Sequence, residues 1–532
     1  VLLLPLLALY FIWALPDGGG AVVRFLDYEL TPVRGDRLGR LFATIFAIMA
    51  FGGGLFALNQ QKALELTAAF VYAGSAIGAA LAGDLVTLFI FWEVMAIGST
   101  LVIWSAGTDL AYKASLRYLM IHLGGGVLLM AGIAGQVALT GSIAFERMDL
   151  SLWPQWLILA GFLVNAGGPP LSAWIPDAYP EASFSGTVFL SAFTTKTAVY
   201  VLLRGFAGSE ILIVLGLIMV FYGIVYAILE NDMRRILAYS IVNQVGFMVT
   251  GAGIGTELAV NGAAAHAFTH IIYKALLLMS AGSVLYMTGK RKCTDLGGLF
   301  QSMPLTTVCG IIGALSISAF PLTSGFVSKS MVSQAAADQH LMLVWLLLAA
   351  ASAGVFLHAG IKFPWFVFFQ KDSGMRPKDP PLNMRLAMVL FSVLCIGIGV
   401  FPGPLYALLP YPVDFVPYTG EHVISQLQLL LFSGLAFFVM LDRYLQRTLT
   451  ITLDFDWFYR RLGRCAGSLA VNGVFKGWDR LLGQLQALAR RAWTALYRHH
   501  GPHGWLARTW PTGSMVLWVA VLLVSYLVFY YL

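Results

Sequence analysis

Charge is what this sequence has least of. Lys, Arg, Asp and Glu make up 11% of its 532 residues, against about 25% in a soluble domain. Together with 59% hydrophobic residues, that excludes a water-soluble globular chain and leaves a polytopic membrane protein. Cysteine is scarce too. Cys293, Cys309, Cys395 and Cys465 are scattered without CxxC spacing, which excludes a disulfide framework and gives no pattern for an iron–sulfur or zinc site. No GxxxxGK[ST] phosphate loop is present. The expectation is therefore a chain with no cofactor, no metal, no redox centre of its own and no nucleic-acid partner. Any driven work must draw on an ion gradient or a partner subunit. With so many apolar runs, a signal peptide or single anchor is beside the point. Val1 already lies inside an apolar run, so the expectation is a sequence that starts within a larger chain.

Glycine and proline are present where they matter. Gly-Gly-Gly at 18–20, 52–54 and 124–126 reads as turn or close helix packing. About fifteen spans are expected, near 1–15, 39–58, 64–82, 85–106, 113–140, 152–174, 184–205, 211–229, 235–255, 258–287, 303–333, 342–369, 386–409, 424–442 and 514–532. Two are interrupted. One break holds Pro169, Pro170, Pro176 and Pro180, the other Pro321 and Gly325. Proline lacks a backbone donor and clashes with the preceding turn, so both helices should break at membrane depth. Matching breaks in two halves are the trace of an inverted repeat. The fold class is thus all-α and polytopic, with broken helices in two halves. The expected organisation is 1–63 as N-terminal spans, 64–205 and 211–369 as the halves, 370–442 as C-terminal helices, 443–512 as a lateral segment and 513–532 as a last span.

Basic residues fall in alternate loops: Lys113 and Arg117, Arg234 and Arg235, Lys290 to Lys292, then Lys371, Arg376, Lys378 and Arg385. The intervening loops hold Glu146, Asp149, Glu210, Glu257, Asp338, Asp414 and Glu421. The positive-inside rule makes the first set cytoplasmic. The loop 16–38, with Arg24, Arg34 and Arg37, falls on the opposite side and breaks the rule. In 443–512, Trp478, Leu482, Leu485, Leu488, Ala492 and Leu496 recur at helical spacing among Arg480, Arg490, Arg491 and Arg498. That reads as a basic amphipathic helix along the cytoplasmic face, on lipid or on a neighbouring subunit. Tyr526, Tyr530 and Tyr531 are interfacial anchors of the last span.

The few charges inside spans are the chemistry. His266, His270 and Lys274 follow one another at intervals of four in a long apolar run. On a helix they share a face about 12 Å long at ~1.5 Å per residue. A lysine there costs about 2.5–3.5 kcal/mol on insertion scales, so it belongs in the protein interior or a wet cavity. Three titratable groups in a row can hand protons along, or form a packing face of satisfied histidines. Glu93 sits mid-span and must pair or take a proton. Lys196, also mid-span, is its expected ionic partner. Lys329 follows the second break, where a discontinuous helix exposes backbone to a cavity or a span end lets lysine snorkel. His358 and Lys362 repeat the spacing of four. Asp232, Arg234 and Arg235 open a span in an ordinary positive-inside role or a functional one, and Asp177 and Glu181 beside the first break read as helix caps.

The strings FWEVM, WIPDAYPEA, KTAVYVLLR, DMRRILAYSIVNQVGFM, HAFTHIIYKALLLMSAGSV and PLTSGFVSKS, in this order, resemble the antiporter-like subunits shared by respiratory complex I and the multisubunit (Mrp-type) Na+/H+ antiporters. The resemblance covers about residues 60–370. It implies two inverted five-helix repeats, each with a proton path, joined by a central chain of lysines, histidines and a glutamate. It implies Glu93 as the key glutamate, Lys196 as the first-half lysine, His266, His270 and Lys274 as the second-half relay, and Lys329 as the terminal exit residue. The family usually has one more helix ahead of the stretch that opens this sequence, and the segment from DFDWFYRR onward looks like a shortened lateral helix.

Two positions depart from the pattern. Asn165 stands where a lysine is common before the first break, and asparagine holds no proton at neutral pH. Arg234 stands where lysine is frequent, and arginine stays charged. The resemblance implies a proton-translocating subunit of a cation/proton antiporter or complex I-like assembly in the bacterial cytoplasmic (inner) membrane. Its partners would be other membrane subunits, the bilayer, protons and Na+. Two alternatives stay open. One is a proton-conducting subunit of an inorganic-carbon-accumulating complex with a soluble zinc-binding, carbonic-anhydrase-like partner. The other is a structural subunit whose ion path has decayed.

Overall fold

The computed structural model describes residues 2–441, 445–447 and 453–532. The expected start of the lateral segment at 443 lies outside the described residues. The described chain forms two compact units, one ending at Asp456 and one spanning Trp457–Leu532.

In the first unit, α1 (Leu3–Ala14) leads into an antiparallel hairpin of β1 (Gly20–Phe25) and β2 (Tyr28–Arg34). This small hairpin is an addition to the helical architecture expected from the sequence. Phe25 pairs with Tyr28, Arg24 with Glu29 and Val23 with Leu30. Its connection, Leu26-Asp27, lacks the Asn-Gly or Asp-Gly that marks a two-residue turn, so the sequence hid it. Helices follow: α2 (Arg37–Phe56), α3 (Ala63–Leu81), α4 (Leu85–Trp104), α5 (Asp109–Thr140), α6 (Trp153–Ala166), the short α7 (Trp174–Ala178) and α8 (Gly186–Leu190), and α9 (Thr194–Gly205). Then come α10 (Ile211–Leu229), α11 (Met233–Ile254), α12 (Glu257–Thr288), α13 (Pro304–Ile317), α14 (Ser324–Asp338) and α15 (Met342–Val355), the last continued by π-helical turns to Phe369. The short α17 (Gly403–Ala407) lies between α16 (Leu382–Val400) and α18 (Gly420–Leu441).

Twelve described helices are long and apolar enough to cross a membrane, fewer than the fifteen expected. α1 has 12 residues, and α6 and α13 have 14 each. At ~1.5 Å per residue none reaches the ~30 Å hydrocarbon thickness. α6 and α13 are short because they are the broken helices. α6 ends at Gly167 in the left-handed region (φ +77°) ahead of Gly168-Pro169-Pro170. The Trp174 indole takes up one freed carbonyl, Val164 O, at 2.9 Å. At the second break, a Cβ on Gly325 would lie 1.8 Å from Ser316 O, so only glycine fits.

The two halves share one register. Ala63 and Ile211, Leu85 and Met233, and Asp109 and Glu257 open successive helices, each pair 148 residues apart. Asp84 and Asp232 cap α4 and α11 with their carboxylates. The isolated bridges Asp84–Ala144 and Asp232–Lys292 recur at the same offset. The broken helix is the fourth span of five in each half.

Hydrogen bonds sort the loops into two faces. On the acidic face, Gly83 N donates to Thr31 O at 2.9 Å, Leu85 N to Ile143 O at 2.9 Å and Met148 N to Gly205 O at 2.7 Å. The hairpin 20–34 therefore belongs to the acidic face. Its Arg34 pairs with Asp36, which also takes Arg204 of α9, and Arg24 lies opposite Glu29 in the hairpin register. On the basic face, Arg117 pairs with Asp177 at 2.7 Å and Arg291 with Glu181 at 3.0 Å and Asp232 at 2.7 Å. Asp177 and Glu181 are thus ion-pair partners rather than caps. Burial raises the Asp232 carboxyl above the usual range, although Arg291 and Arg234 pull it down.

The second unit holds α19 (Asp456–Ala470), α20 (Lys476–His500) and α21 (Thr512–Tyr531). Trp478, Leu482, Leu485, Leu488 and Leu496 on α20 are all exposed, with the basic residues interleaved. α21 has 20 residues and is apolar enough to span.

Candidate functional site

α12 runs through the interior, and His266, His270 and Lys274 on it are fully buried. Partners come from α11 and α14. His266 Nε2 lies 3.0 Å from Gln244 Oε1 and Nδ1 lies 3.2 Å from Ser328 Oγ. The amide of Gln244 is oriented by its neighbour: Nε2 donates to Asn243 Oδ1, and Asn243 Nδ2 donates to Val220 O at 2.9 Å. Oε1 therefore faces the histidine as an acceptor, Nε2 of His266 carries the hydrogen, and Nδ1 turns its lone pair toward the Ser328 hydroxyl, which also reaches Ser324 O at 3.1 Å. Tyr273 also donates to Gln244 Oε1, at 3.2 Å. Lys274 Nζ donates to Ser240 Oγ at 2.9 Å. Both ring nitrogens of His270 are buried without a partner among the described residues.

Lys329 sits on α14 next to Ser328, 2% exposed, with Nζ 4.4 Å from the centre of the Phe247 ring and no hydrogen-bond partner among the described residues. A cation–π contact holds a charge that has lost its water. Lys329 lines a cavity of about 1000 Å³ that also takes in Glu257, Asp338, Asp414, Glu421 and His422. The cavity lies on the acidic face. His266, His270 and Lys274 thus share one buried face of α12, the Ser328 contact joins His266 to α14, and Lys329 beside Ser328 lines the cavity.

The first half is arranged differently from expectation. Glu93 and Lys196 do not form an ion pair. Lys196 Nζ donates to Ser191 O at 2.6 Å and Thr195 Oγ1 at 3.1 Å. Glu93 packs on α5, where a Cβ on Gly126 would lie 2.0 Å from its Oε1, and that oxygen has no hydrogen-bond partner among the described residues. The mid-span spacing of the two residues said nothing about which helix faces each. A Glu93→Gln/Lys196→Met double-mutant cycle read by thermal unfolding should be additive within about 0.5 kcal/mol. A coupling of about 2 kcal/mol or more would mean the groups meet.

Arg234, Lys362 and His358 also find roles the sequence left open. Arg234 donates to Pro180 O and Ala182 O at 2.8 Å, to Ser183 O at 2.7 Å, and to Thr187 Oγ1. It clamps the first break's connecting segment to α11. Lys362 donates to Ala227 O at 3.2 Å, Ile228 O, and Glu230 O at 2.6 Å, closing the C-terminal end of α10. His358 is buried and held to Gly354 O at 2.8 Å. Asn165 is 1% exposed, and both its amide atoms lack a partner among the described residues.

Sequence reasoning passed over Asn243, Gln244, Ser240 and Ser328, which are neutral and carry no charge signal. It also missed Glu65, 1% exposed, which accepts from Ser183 Oγ and Ser185 Oγ at 2.6 Å.

Fold and site together define an antiporter-like protein that spans the membrane many times. The family model described as NADH:quinone oxidoreductase/Mrp antiporter, TM, matches residues 82–356, and the chain belongs to that family. A Na(+)/H(+) antiporter subunit of Alkalihalophilus pseudofirmus is 29% identical over 396 residues, covering 69% of this chain and 80% of that protein. A NADH-quinone oxidoreductase subunit of Desulforudis audaxviator is 30% identical over 353 residues, covering 61% and 70%. A chain of the Mrp complex from Dietzia sp. has the same fold, with a TM-score of 0.68 at 20% identity over 77% of this chain and 89% of that one.

Proposed function

We propose that this chain translocates protons as one membrane subunit of a larger cation/proton antiporter or complex I-like assembly. The observation that carries the reading is the buried relay on α12, which reaches Lys329 at the floor of an acidic cavity. A histidine can accept and give up a proton near neutrality. A desolvated lysine is drawn into the same range. The carboxylates of the vestibule favour cations, hydronium included, over anions at its mouth. Membership of a family that includes antiporter and quinone oxidoreductase subunits supports the same class of work. Glu93, Lys196, His266, His270, Lys274 and Lys329 are the groups that carry it. Other membrane subunits are the partners, and α20 and α21, exposed along their length, supply surface for lipid or for them.

The test is proton uptake by inverted membrane vesicles containing the full chain in its complex, driven by an imposed cation gradient. Lys329→Ala should lower uptake at least about tenfold, the loss expected when one proton-transfer group is removed. Lys329→Glu should retain part of it, since a carboxyl group also carries a proton. Wild-type uptake in Lys329→Ala would overturn the exit role of that residue.

A further inference from the structure

Asn165 leaves the first half without the amine that the family resemblance implies before the first helix break. The internal repeat shows a different titratable group nearby. α5 and α12 are the third spans of their halves, and each has 32 residues. They open on matching sequence, Gly107-Thr108-Asp109-Leu110-Ala111 and Gly255-Thr256-Glu257-Leu258-Ala259. Thr108 and Thr256 cap them, and Gly141 and Gly289 close them in the left-handed region. In this shared register His122 is the fourteenth residue of α5 and His270 the fourteenth of α12. Tyr118 falls where His266 does. Gly126 falls where Lys274 does, and the space a longer side chain would fill there is taken by Glu93.

His122 is 1% exposed. Its Nδ1 lies 2.9 Å from the Tyr118 carbonyl oxygen, which only accepts, so Nδ1 carries the hydrogen and Nε2 holds a lone pair. Nε2 is buried with no partner among the described residues. A ring kept only for packing would gain from being apolar, since an unpaired buried nitrogen carries a desolvation penalty. The ring stacks on Tyr118 at 3.9 Å and meets Trp174 edge-on at 4.6 Å. Trp174 in turn donates to Val164 O, beside Asn165. One helical turn along α5 from His122 is Gly126, against which the Glu93 carboxyl packs. One turn the other way, the Tyr118 hydroxyl donates to Ser99 Oγ at 2.9 Å and lies 3.3 Å from Thr194 Oγ1, two residues before Lys196. Tyr72 extends the hydroxyl chain, 2.6 Å from Thr194 Oγ1.

We propose that His122 is the proton-relay residue of the first half, standing between Glu93 and Lys196 in the role that Asn165 cannot fill. The Glu93 carboxyl group gives up its proton and becomes carboxylate as His122 Nε2 accepts it and becomes imidazolium. The imidazolium then releases the proton from Nε2 to the neutral amine of Lys196, which becomes ammonium. No bond between heavy atoms changes. The inference rests on the proposed proton-translocating function, and the experiment separates the two.

Proton uptake is measured in the same vesicles for His122→Gln, His122→Leu, His122→Leu/Asn165→Lys and Lys274→Ala. His122→Gln keeps a side-chain donor for the Tyr118 carbonyl but cannot hold a proton. It should lose at least about tenfold in uptake while the complex assembles normally. His122→Leu should lose as much, and adding Asn165→Lys should restore uptake to within about threefold of wild type, because a lysine again offers a proton site beside the first break. A merely structural histidine would not be rescued by a lysine on another helix. Wild-type uptake in His122→Gln with Lys274→Ala inactive overturns the proposal and leaves proton translocation standing. Wild-type uptake in both overturns proton translocation by this chain. If His122→Leu fails to assemble, His122→Gln alone decides.

Discussion

Lys274→Ala is expected to abolish cation-driven proton uptake, by about a hundredfold or more, while the protein still inserts and assembles. Lys274 is the one amine on the buried face of α12, fully enclosed, and its hydrogen-bond partners are the hydroxyl of Ser240 and the carbonyl of Leu237. Neither partner can replace it as a base. Removing one positioned proton-transfer group typically costs about 10²–10⁴-fold in rate. Stability should suffer little, because alanine leaves behind a hydroxyl and a distant carbonyl and removes a group that costs about 2.5–3.5 kcal/mol to place in a membrane. Lys274→Arg separates relay from charge. Arginine keeps the positive charge and does not release its proton, so that variant should be as inactive as alanine. Uptake by Lys274→Arg near the wild-type rate would make the residue an electrostatic element rather than a carrier.

Arg234→Leu should destabilise the protein by about 3 kcal/mol or more. Three backbone carbonyls from 180–183 and the Thr187 hydroxyl accept from this one guanidinium, which is 3% exposed. Leucine strands them in the interior, and each unsatisfied buried acceptor costs about 1–3 kcal/mol. The relief of no longer burying a charge offsets part of that sum. Lysine supplies a single point donor without the planar fork, so Arg234→Lys should fall between the two. The readout is the unfolding temperature of the detergent-solubilised chain, with protease sensitivity of the 174–187 segment as a second measure. An unchanged unfolding temperature in Arg234→Leu would show that the clamp is dispensable.

The repeat explains why the two halves differ in chemistry while sharing a frame. Cap, length and closure of α5 and α12 coincide and His122 matches His270, yet Tyr118 and Gly126 stand where the second half has His266 and Lys274. The glycine at 126 admits the carboxyl of a neighbouring helix where the second half has an amine. Glu93 therefore finds α5 rather than Lys196.

Local properties were legible in the sequence alone. A polytopic membrane protein follows from apolar runs, because hydrocarbon tolerates no unpaired backbone. The shared face of His266, His270 and Lys274 follows from spacing, because helical pitch does not depend on context. Both breaks follow from proline and glycine, whose limits on backbone geometry are intrinsic. Even the repeat was written there, in Gly-Thr-Asp-Leu-Ala and Gly-Thr-Glu-Leu-Ala, though five residues in two places mean little until helix ends align them. Tertiary structure decided which side chains meet. That Lys362 closes α10, that Arg234 serves carbonyls, and that Gln244 orients His266 all depend on where helices cross. Crossing points are set by the packing of whole helix surfaces, to which no single residue or spacing is a guide.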